Sequence, residues 1–292
     1  MDGLSDAGPL VSTDWLAARL GRPGLVVVDA SWRLGEAPGT AGASFAKRRI
    51  PGAVHFDLDA VADASGDLPH MAPSADAFAR AVAEMGVAPD DHAVVYDDAG
   101  IFSAPRVWLT FAAMGWRASV LDGGLPKWRA EGRPLDEAPP AAVVAARKAV
   151  PRISDVFCGA EAVRAGLADG ETAVLDARPA ARFAGRAPEP RPGLRGGAMP
   201  GAKSLPHAEL LTDEGALKPE GALAAAFEAC GAGPKTPTIA TCGSGVTAAV
   251  LVLARARLGW RPARLYDGSW AEWGRDHGPD ANARAFPVVA DG

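Results

Sequence analysis

The chain has 292 residues, enough for two domains, and its 48% hydrophobic and 22% charged residues are typical of a globular protein. A net charge of −5 gives no reason to expect nucleic-acid binding, and no apolar run approaches the roughly 18 residues that a membrane helix needs. Three cysteines are too few and too scattered for a disulfide framework or a zinc site. The N-terminus has no basic region followed by an apolar segment, so we expect no signal peptide and a cytoplasmic location.

The sequence repeats itself once. Residues 25–30 (Leu-Val-Val-Val-Asp-Ala) recur as residues 172–177 (Thr-Ala-Val-Leu-Asp-Ala), and later segments recur at similar offsets. Aligning the next strands of the two halves puts Asp98 opposite Cys242, 144 residues apart. A repeat of this length predicts two domains that arose by duplication, of which only the second carries a cysteine at this position.

Short apolar segments alternate with segments of helical periodicity in both halves. The predicted strands lie near residues 25–29, 93–97 and 118–121 in the first half and near 172–176, 238–241 and 263–266 in the second. Ser12 and Thr13 precede a helical pattern and predict a capped first helix. Ser74 opens a further apolar-periodic stretch, from Phe78 to Met85. Alternation of this kind predicts an α/β fold with a mostly parallel sheet flanked by helices in each domain.

The predicted domain boundaries follow composition. A segment rich in proline and alanine at residues 138–152 reads as a linker between a first domain, residues 10–137, and a second domain, residues 153–280. The cysteine at the end of the 238–241 strand makes the second domain the candidate for catalysis. The first domain, with Asp98 at the aligned position, is predicted to be a non-catalytic partner.

Cys242 is the candidate nucleophile. The β-branched run at 238–241 predicts a buried strand that ends at this cysteine, Gly243 and Gly245 permit a tight turn with positive φ, and a helical pattern follows over about 246–258. A strand end followed by a helix start surrounds the thiol with backbone N–H groups and partial positive charge, which favour the thiolate. Ligands of parallel sheets bind at this end of the strands.

The loop is open to other interpretations. A buried cysteine at a strand end is often only a small apolar residue. A phosphate-binding loop requires a lysine that is missing here. A cysteine phosphatase requires an arginine six positions after the cysteine, where this chain has Ala248. The Gly-x-Gly that follows Cys242 at a strand–helix junction favours nucleophilic chemistry over the inert alternative.

The internal repeat, the Pro-Gly-Ala segments at 51–53 and 200–202, and the loop Cys242-Gly-Ser-Gly-Val-Thr247 resemble the tandem-domain rhodanese-like sulfurtransferases. The resemblance covers roughly residues 10–276. The loop is similar to that of the members that use 3-mercaptopyruvate, whereas members that use thiosulfate carry Cys-Arg-Lys-Gly-Val-Thr. This division has a physical reason, because a dianionic donor suits a cationic loop, and a monocarboxylate tolerates a neutral loop with arginines elsewhere.

The resemblance implies roles for several other residues. Arg182 and Arg191 are similar to the two arginines that bind the carboxylate and carbonyl of the donor, a task that suits a planar and permanently charged guanidinium. Ser244, His70 and Asp59 are similar to a triad that relays protons around the substrate. On the simpler interpretation, Asp59 caps a helix and His70 is an interface residue.

The implied reaction is transfer of sulfur from 3-mercaptopyruvate, through a persulfide on Cys242, to a thiol such as thioredoxin or a small thiol, or to cyanide, with release of pyruvate. Neither a metal nor an organic cofactor is expected, and Cys158 and Cys230 are expected to be inert. Backbone N–H groups of the loop would cradle the outer sulfur, and the residues expected to supply them are Gly243, Gly245, Val246 and Thr247. Two alternatives remain open at this point: a thiosulfate:cyanide sulfurtransferase and a non-catalytic persulfide carrier.

Overall fold

The computed structural model describes Leu4 and residues 7–36, 39–138 and 154–290. It divides into two compact units. The first unit comprises Met1–Asp63, Ala72–Ser154 and Leu211–Leu217, and the second comprises Ala64–Met71, Asp155–Leu210 and Lys218–Gly292. Apart from Ala138, the predicted linker at 138–152 lies outside the described residues. None of the described helices is long and apolar enough to cross a membrane.

The first unit is built on a five-stranded sheet with the order β1-β5-β4-β2-β3, in which all neighbouring strands are parallel. Its elements in chain order are β1 (Leu10–Val11), α1 (Thr13–Ala17), β2 (Leu25–Asp29), α2 (Thr40–Lys47), β3 (Val54–His55), α3 (Leu58–Val61), α4 (Ala75–Glu84), β4 (His92–Tyr96), α5 (Ala104–Ala113), β5 (Arg117–Leu121) and α6 (Gly124–Ala130). The predicted cap of the first helix is confirmed, since Ser12 accepts the Trp15 N–H at the start of α1. Ser74 caps α4 in the same way by accepting the Ala77 N–H.

The second unit repeats this plan, with a parallel five-stranded sheet in the order β6-β10-β9-β7-β8. Its elements are β6 (Phe157–Cys158), α7 (Ala160–Asp169), β7 (Ala173–Asp176), α8 (Ala180–Phe183), β8 (Lys203–Ser204), a 3₁₀ turn (His207–Leu210), α9 (Glu220–Ala229), β9 (Thr238–Thr241), α10 (Ala248–Arg257), β10 (Arg264–Tyr266), α11 (Ser269–Trp273) and α12 (Pro279–Arg284). The predicted α/β class with two mostly parallel sheets is therefore confirmed.

Two short segments belong to the unit opposite to that of their neighbours in sequence. Ala64–Met71 follows α3 of the first unit but packs with the second unit, and Leu211–Leu217 follows the 3₁₀ turn of the second unit but packs with the first. In the first unit the backbones of Gly215 and Gly100 are in such close contact that a Cβ on Gly100 would lie 2.8 Å from the Gly215 carbonyl oxygen. Each unit is therefore completed by a segment from the other half of the sequence.

The structure corrects the predicted partner of Cys242 in the repeat. The N–H of Leu125 donates to the carbonyl of Asp97, and the N–H of Trp270 donates to the carbonyl of Cys242, both at 2.9 Å. Donor and acceptor are each 145 residues from their counterparts. The sheets give the same offset, because Asp29 pairs with Tyr96 at the end of β4 and Asp176 pairs with Thr241, 145 residues after Tyr96, at the end of β9. Asp97, and not Asp98, therefore holds the position of the cysteine.

The reason for the shift is a difference in loop length. From Asp97 to the first residue of α5, Ala104, the chain advances seven residues, whereas from Cys242 to the first residue of α10, Ala248, it advances six. The repeat offset is therefore 145 between strands β4 and β9 and 144 between the helices that follow them, α5 and α10. The offset of 144 that relates the two helices, when it is applied to the strand end before them, pairs Cys242 with Asp98 instead of Asp97.

The carboxylate of Asp97 fills the loop of the first unit. Its Oδ2 accepts the N–H groups of Phe102, Ser103 and Ala104 at 2.9, 2.9 and 2.8 Å, and its Oδ1 accepts that of Ala99 at 3.0 Å. The residue is fully buried. Burial raises the pKa of the Asp97 carboxyl above its usual value, and the amide donors act in the opposite direction. One side chain thus satisfies four backbone donors between β4 and α5.

We expect Asp97→Ala to lower the free energy of unfolding by about 3–5 kcal/mol, because it leaves several buried N–H groups without an acceptor. Urea unfolding followed by circular dichroism measures the effect. Asp98→Ala is the matched control: this neighbour is partly exposed and pairs with Arg33, so its loss should cost about 1 kcal/mol or less. A larger loss of unfolding free energy in Asp98→Ala than in Asp97→Ala would contradict the assignment of Asp97 to the position of Cys242.

Candidate active site

Cys242 directly follows β9 and is 2% exposed. Its N–H donates to Ser269 Oγ at 3.3 Å, and its carbonyl accepts the Trp270 N–H at 2.9 Å. The carbonyl of Gly243 accepts the Ala271 N–H at 2.8 Å. The first two residues of the loop are therefore held by the first turn of α11, which fixes the position of the thiol-bearing backbone.

The rest of the loop forms the start of α10. Gly245 has φ of 76°, in the left-handed region that glycine adopts without strain, and Gly243 does not share this conformation. Val246 is buried, and Thr247 is the residue before the helix, which begins at Ala248 rather than at the predicted position 246. Gly245 turns the chain within the loop, so the helix begins two residues after the start of the apolar pattern that predicted it.

The two predicted arginines lie beside the loop. A Cβ placed on Gly243 would be 3.2 Å from Arg182 Nη2 and 4.0 Å from Arg191 Nη1. Both guanidinium groups therefore approach the residue that follows Cys242, one from α8 and the other from the proline-rich segment after it. A glycine at position 243 leaves the space in front of these cations open.

Arg182 is part of a buried chain of alternating charges that the sequence analysis missed. Asp176 at the end of β7 accepts from Arg178 Nε and Nη2 at 3.0 and 2.7 Å. Arg178 Nη1 donates to Glu189 Oε1 at 2.7 Å, and Arg182 Nε donates to Glu189 Oε2 at 3.1 Å. The side chains of Asp176, Arg178 and Glu189 are each at most 1% exposed, and that of Arg182 is 17% exposed.

One feature of the sequence could have indicated this chain of charges. Arg178 lies two residues after the last residue of β7, and at the equivalent position of the first half, 147 residues earlier, the chain has Ser31. Both residues donate their N–H to the strand-end aspartate, Asp176 and Asp29 respectively, but only the second unit adds a guanidinium there. An arginine at this position in place of serine therefore distinguishes the second half, which carries Cys242, from the first.

Ser244 and His70, which the resemblance grouped together, are in contact. Ser244 Oγ and His70 Nδ1 are 2.9 Å apart, and each residue is 5% exposed. His70 reaches this position on the exchanged segment Ala64–Met71, with a left-handed backbone at φ of 59° that is unusual for a residue with a side chain. Arg275 of the same unit donates to the Asp67 carbonyl at 2.9 Å and so holds the segment.

Asp59, the third residue of the predicted triad, belongs to the first unit. Its Oδ2 accepts the indole N–H of Trp32 at 3.0 Å. The simpler interpretation, that Asp59 caps a helix, is wrong: Asp57 is the capping residue of α3 and accepts the N–H groups of Asp59 and Ala60. The structure thus brings Ser244 and His70 together in the second unit, and in the first unit Asp59 accepts a hydrogen bond from Trp32.

A cavity of about 440 Å³ adjoins the site in the second unit. Arg191 lines it together with Pro69, the residue before His70, and Ala271, whose N–H holds the Gly243 carbonyl. The cavity is therefore lined by residues that adjoin or contact the Cys242 loop. Among the described residues, no group of three or more histidine, cysteine, aspartate or glutamate side chains is placed to hold a metal ion.

The other two cysteines have environments that suppress the thiolate. Burial raises the pKa of the Cys158 thiol to about 11, and burial also raises the pKa of the Cys230 thiol. Both are free thiols. Their surroundings are those of structural cysteines, as expected from the sequence.

Comparison with known proteins places this chain in a family. The model of the rhodanese-like domain matches residues 12–131 and 159–276, and the chain belongs to that family, with two copies of the domain. The 3-mercaptopyruvate sulfurtransferase of Escherichia coli is 40% identical, over 90% of this chain and 94% of its own length, and the human 3-mercaptopyruvate sulfurtransferase is 37% identical, over 97% and 95%. The bovine thiosulfate sulfurtransferase is 40% identical, over 90% and 91%.

The fold comparison agrees with the sequence comparison. The crystal structure of the 3-mercaptopyruvate sulfurtransferase SseA from Escherichia coli superposes with a TM-score of 0.81 at 36% identity, covering 91% of this chain and all of that one. The crystal structure of Tum1 from Saccharomyces cerevisiae gives a TM-score of 0.83 at 31% identity, covering 97% of this chain and 98% of that one. The predicted family is therefore confirmed.

We expect Cys158 to resist alkylation at neutral pH. With a pKa of about 11, about one molecule in ten thousand carries the thiolate at pH 7, and this fraction rises tenfold per pH unit until the pKa is approached. Iodoacetamide labelling of a Cys242→Ala variant between pH 7 and 10, read by peptide mass spectrometry, tests this, with Cys158→Ser as the control. A labelling rate at Cys158 that is already maximal at pH 8 would contradict the expectation.

Proposed function

We propose that this protein is a sulfurtransferase that takes sulfur from 3-mercaptopyruvate onto Cys242, releases pyruvate and passes the sulfur to a thiol. The observation that carries the proposal is the approach of two guanidinium groups, Arg182 and Arg191, to the residue after the nucleophile. A carrier that only receives and hands on sulfur has no need of a clamp for a keto acid. The relatives named as 3-mercaptopyruvate sulfurtransferases, which align over most of the chain, support the same function.

In the first half-reaction the Cys242 thiolate attacks the sulfur of the donor. A sulfur–sulfur bond forms, the carbon–sulfur bond breaks, and its electron pair leaves as the enolate of pyruvate, which takes up a proton. Arg182 and Arg191 bind the carboxylate and the carbonyl oxygen, where negative charge develops. The neutral Gly243 and Ser244 suit a donor with one negative charge.

The first unit provides an internal analogue of the persulfide. The Oδ2 atom of Asp97 is two bonds from Cβ, as the outer sulfur of a persulfide on Cys242 would be. That oxygen accepts three backbone N–H groups. By the helix offset of 144, their counterparts are Val246, Thr247 and Ala248. We infer that these amides, together with those of Gly243 and Gly245, hold the outer sulfur as the carboxylate is held in the first unit.

Proton transfer in this scheme involves Ser244 and His70. Their side chains form a buried hydrogen bond beside the loop, so the hydroxyl can supply the proton that the enolate takes up, and the imidazole can replace it. The family resemblance adds Asp59 as a third member of the relay.

In the second half-reaction a thiol attacks the outer sulfur and restores Cys242, which gives ping-pong kinetics. The acceptors proposed are thioredoxin or a small thiol, with cyanide as a substitute in the assay. The cavity of about 440 Å³ beside Arg191 offers room for the approach of an acceptor after pyruvate has left. The free cysteines fit a reducing compartment, and we propose the cytoplasm.

A second candidate is the use of thiosulfate as the donor. It is favoured by the relatives named for thiosulfate, the bovine thiosulfate sulfurtransferase and the thiosulfate/3-mercaptopyruvate sulfurtransferase 1 of Arabidopsis thaliana, which is 37% identical over 92% of this chain and 77% of its own length. Thiosulfate carries two negative charges, and the loop itself offers it no cationic side chain. We therefore expect 3-mercaptopyruvate to have the higher kcat/KM.

Replacement of Cys242 by serine should abolish pyruvate release, because the hydroxyl cannot accept sulfur. The direct measurement is mass spectrometry of wild-type protein after exposure to 3-mercaptopyruvate without an acceptor, which should find one added sulfur atom on the peptide that contains Cys242. Cys158→Ser is the control and should still gain the sulfur. Steady release of pyruvate by the Cys242 variant would refute the proposal.

Ser244→Ala and His70→Ala should each lower kcat by about 100-fold or more with little change in KM, since a positioned acid or base typically contributes that factor. Rapid-quench measurement of pyruvate formation isolates the step. His277→Ala, a change of an exposed histidine in the same unit, is the control. The same measurement on Asp59→Asn tests whether Asp59 is the third member of the proton relay. An unchanged kcat in the His70 variant would remove the relay from the mechanism.

A further inference from the structure

We propose that Glu189 is a positioning residue that also determines which donor the site prefers. It fixes the guanidinium of Arg182 beside Cys242 and offsets one positive charge of the arginine pair, so that a monoanionic donor is favoured over a dianionic one. This inference rests on the proposed donor site, and it concerns a residue that does not itself touch the donor.

The geometry of Glu189 is that of a bridge between two arginines. One carboxylate oxygen accepts from Arg178 Nη1 at 2.7 Å, and the other accepts from Arg182 Nε at 3.1 Å and from Arg182 Nη2. The side chain is 1% exposed. The bonds from Nε and Nη2 to Glu189 fix the plane of the Arg182 guanidinium and hold Nη2 beside Gly243, 3.2 Å from a Cβ placed on that glycine.

The support behind Glu189 is rigid. Arg178 is held by Asp176, by the Gly197 carbonyl at 2.8 Å and by the ring of Trp270, whose centroid is 3.9 Å from the guanidinium carbon. The backbone N–H of Trp270 in turn donates to the Cys242 carbonyl. Prolines precede and follow Glu189 in the sequence and restrict its backbone. The clamp and the nucleophile are thus fixed to one buried framework.

The formal charges of this framework explain the donor preference. Asp176, Arg178, Glu189 and Arg182 together sum to zero, and Arg191 brings the total to +1. One positive charge matches a single carboxylate. Without the charge of Glu189 the total would be +2, which matches a dianion such as thiosulfate.

The test compares wild type with Glu189→Gln on both donors, with cyanide as the common acceptor. We expect KM for 3-mercaptopyruvate to rise at least about tenfold with kcat changed by less than about threefold, because the positioned cation is lost and the nucleophile is not. The ratio of kcat/KM for thiosulfate to that for 3-mercaptopyruvate should rise at least about tenfold. Glu228→Gln, the same change on the exposed side of α9, should leave both values unaltered.

Glu189→Asp separates position from charge. It keeps the carboxylate but is one methylene shorter, so it cannot reach both arginines. We expect its KM for 3-mercaptopyruvate to rise as in the glutamine variant while its donor ratio stays near that of wild type. An aspartate variant with wild-type KM would overturn the positioning role. Equal losses on both donors in the glutamine variant would show a merely structural effect and overturn the specificity role.

Calorimetric measurement of pyruvate binding tests the positioning role of Glu189 in the absence of turnover. Its Kd should rise at least about tenfold in Glu189→Gln relative to wild type. If wild type forms no persulfide from 3-mercaptopyruvate but the two proteins still differ in this way, the proposed function fails and the role of Glu189 stands. If wild type forms the persulfide and the two Kd values are equal, the role of Glu189 fails alone.

Discussion

The backbone amides between a parallel strand and the helix after it need an acceptor, and this requirement governs both halves of the molecule. In the first unit Asp97 meets it permanently with its own carboxylate, buried and bonded to four N–H groups. In the second unit the equivalent residue is Cys242, whose side chain is one bond shorter and carries no charge as a thiol. The first half thus completes its loop with its own side chain, and under the proposed function the second half completes its loop with the sulfur atom of the donor.

The two halves also differ in how they handle charge behind the loop. The first unit has Ser31 where the second has Arg178, and only the second builds the alternating series of Asp176, Arg178, Glu189 and Arg182. Burying ions in this way is costly unless each has a partner, and here each interior ion has one on either side. The series ends at the one member with appreciable solvent exposure, Arg182, which is the one that faces the loop.

Much of this architecture could be predicted from the sequence because it depends on local patterns. The cap at Ser12, the strand 238–241 and the parallel α/β class follow from neighbouring residues and from the repeat. The aspartate that corresponds to Cys242 was misassigned because one extra loop residue leaves no trace in composition or periodicity. The role of Glu189 could not be predicted, because it depends on contacts with Arg178 and Arg182 that form only in the folded chain.

The exchange of Ala64–Met71 and Leu211–Leu217 has a consequence for the history of the duplication. Once His70 of the first half had become the neighbour of Ser244 in the second, the Cys242-bearing half could no longer be inherited alone without losing that imidazole. Conversely, the half that carries Asp97 would lose the turn around Gly215 that covers Gly100. The two copies are therefore no longer interchangeable, because each compact unit contains a segment that the other half of the sequence supplies.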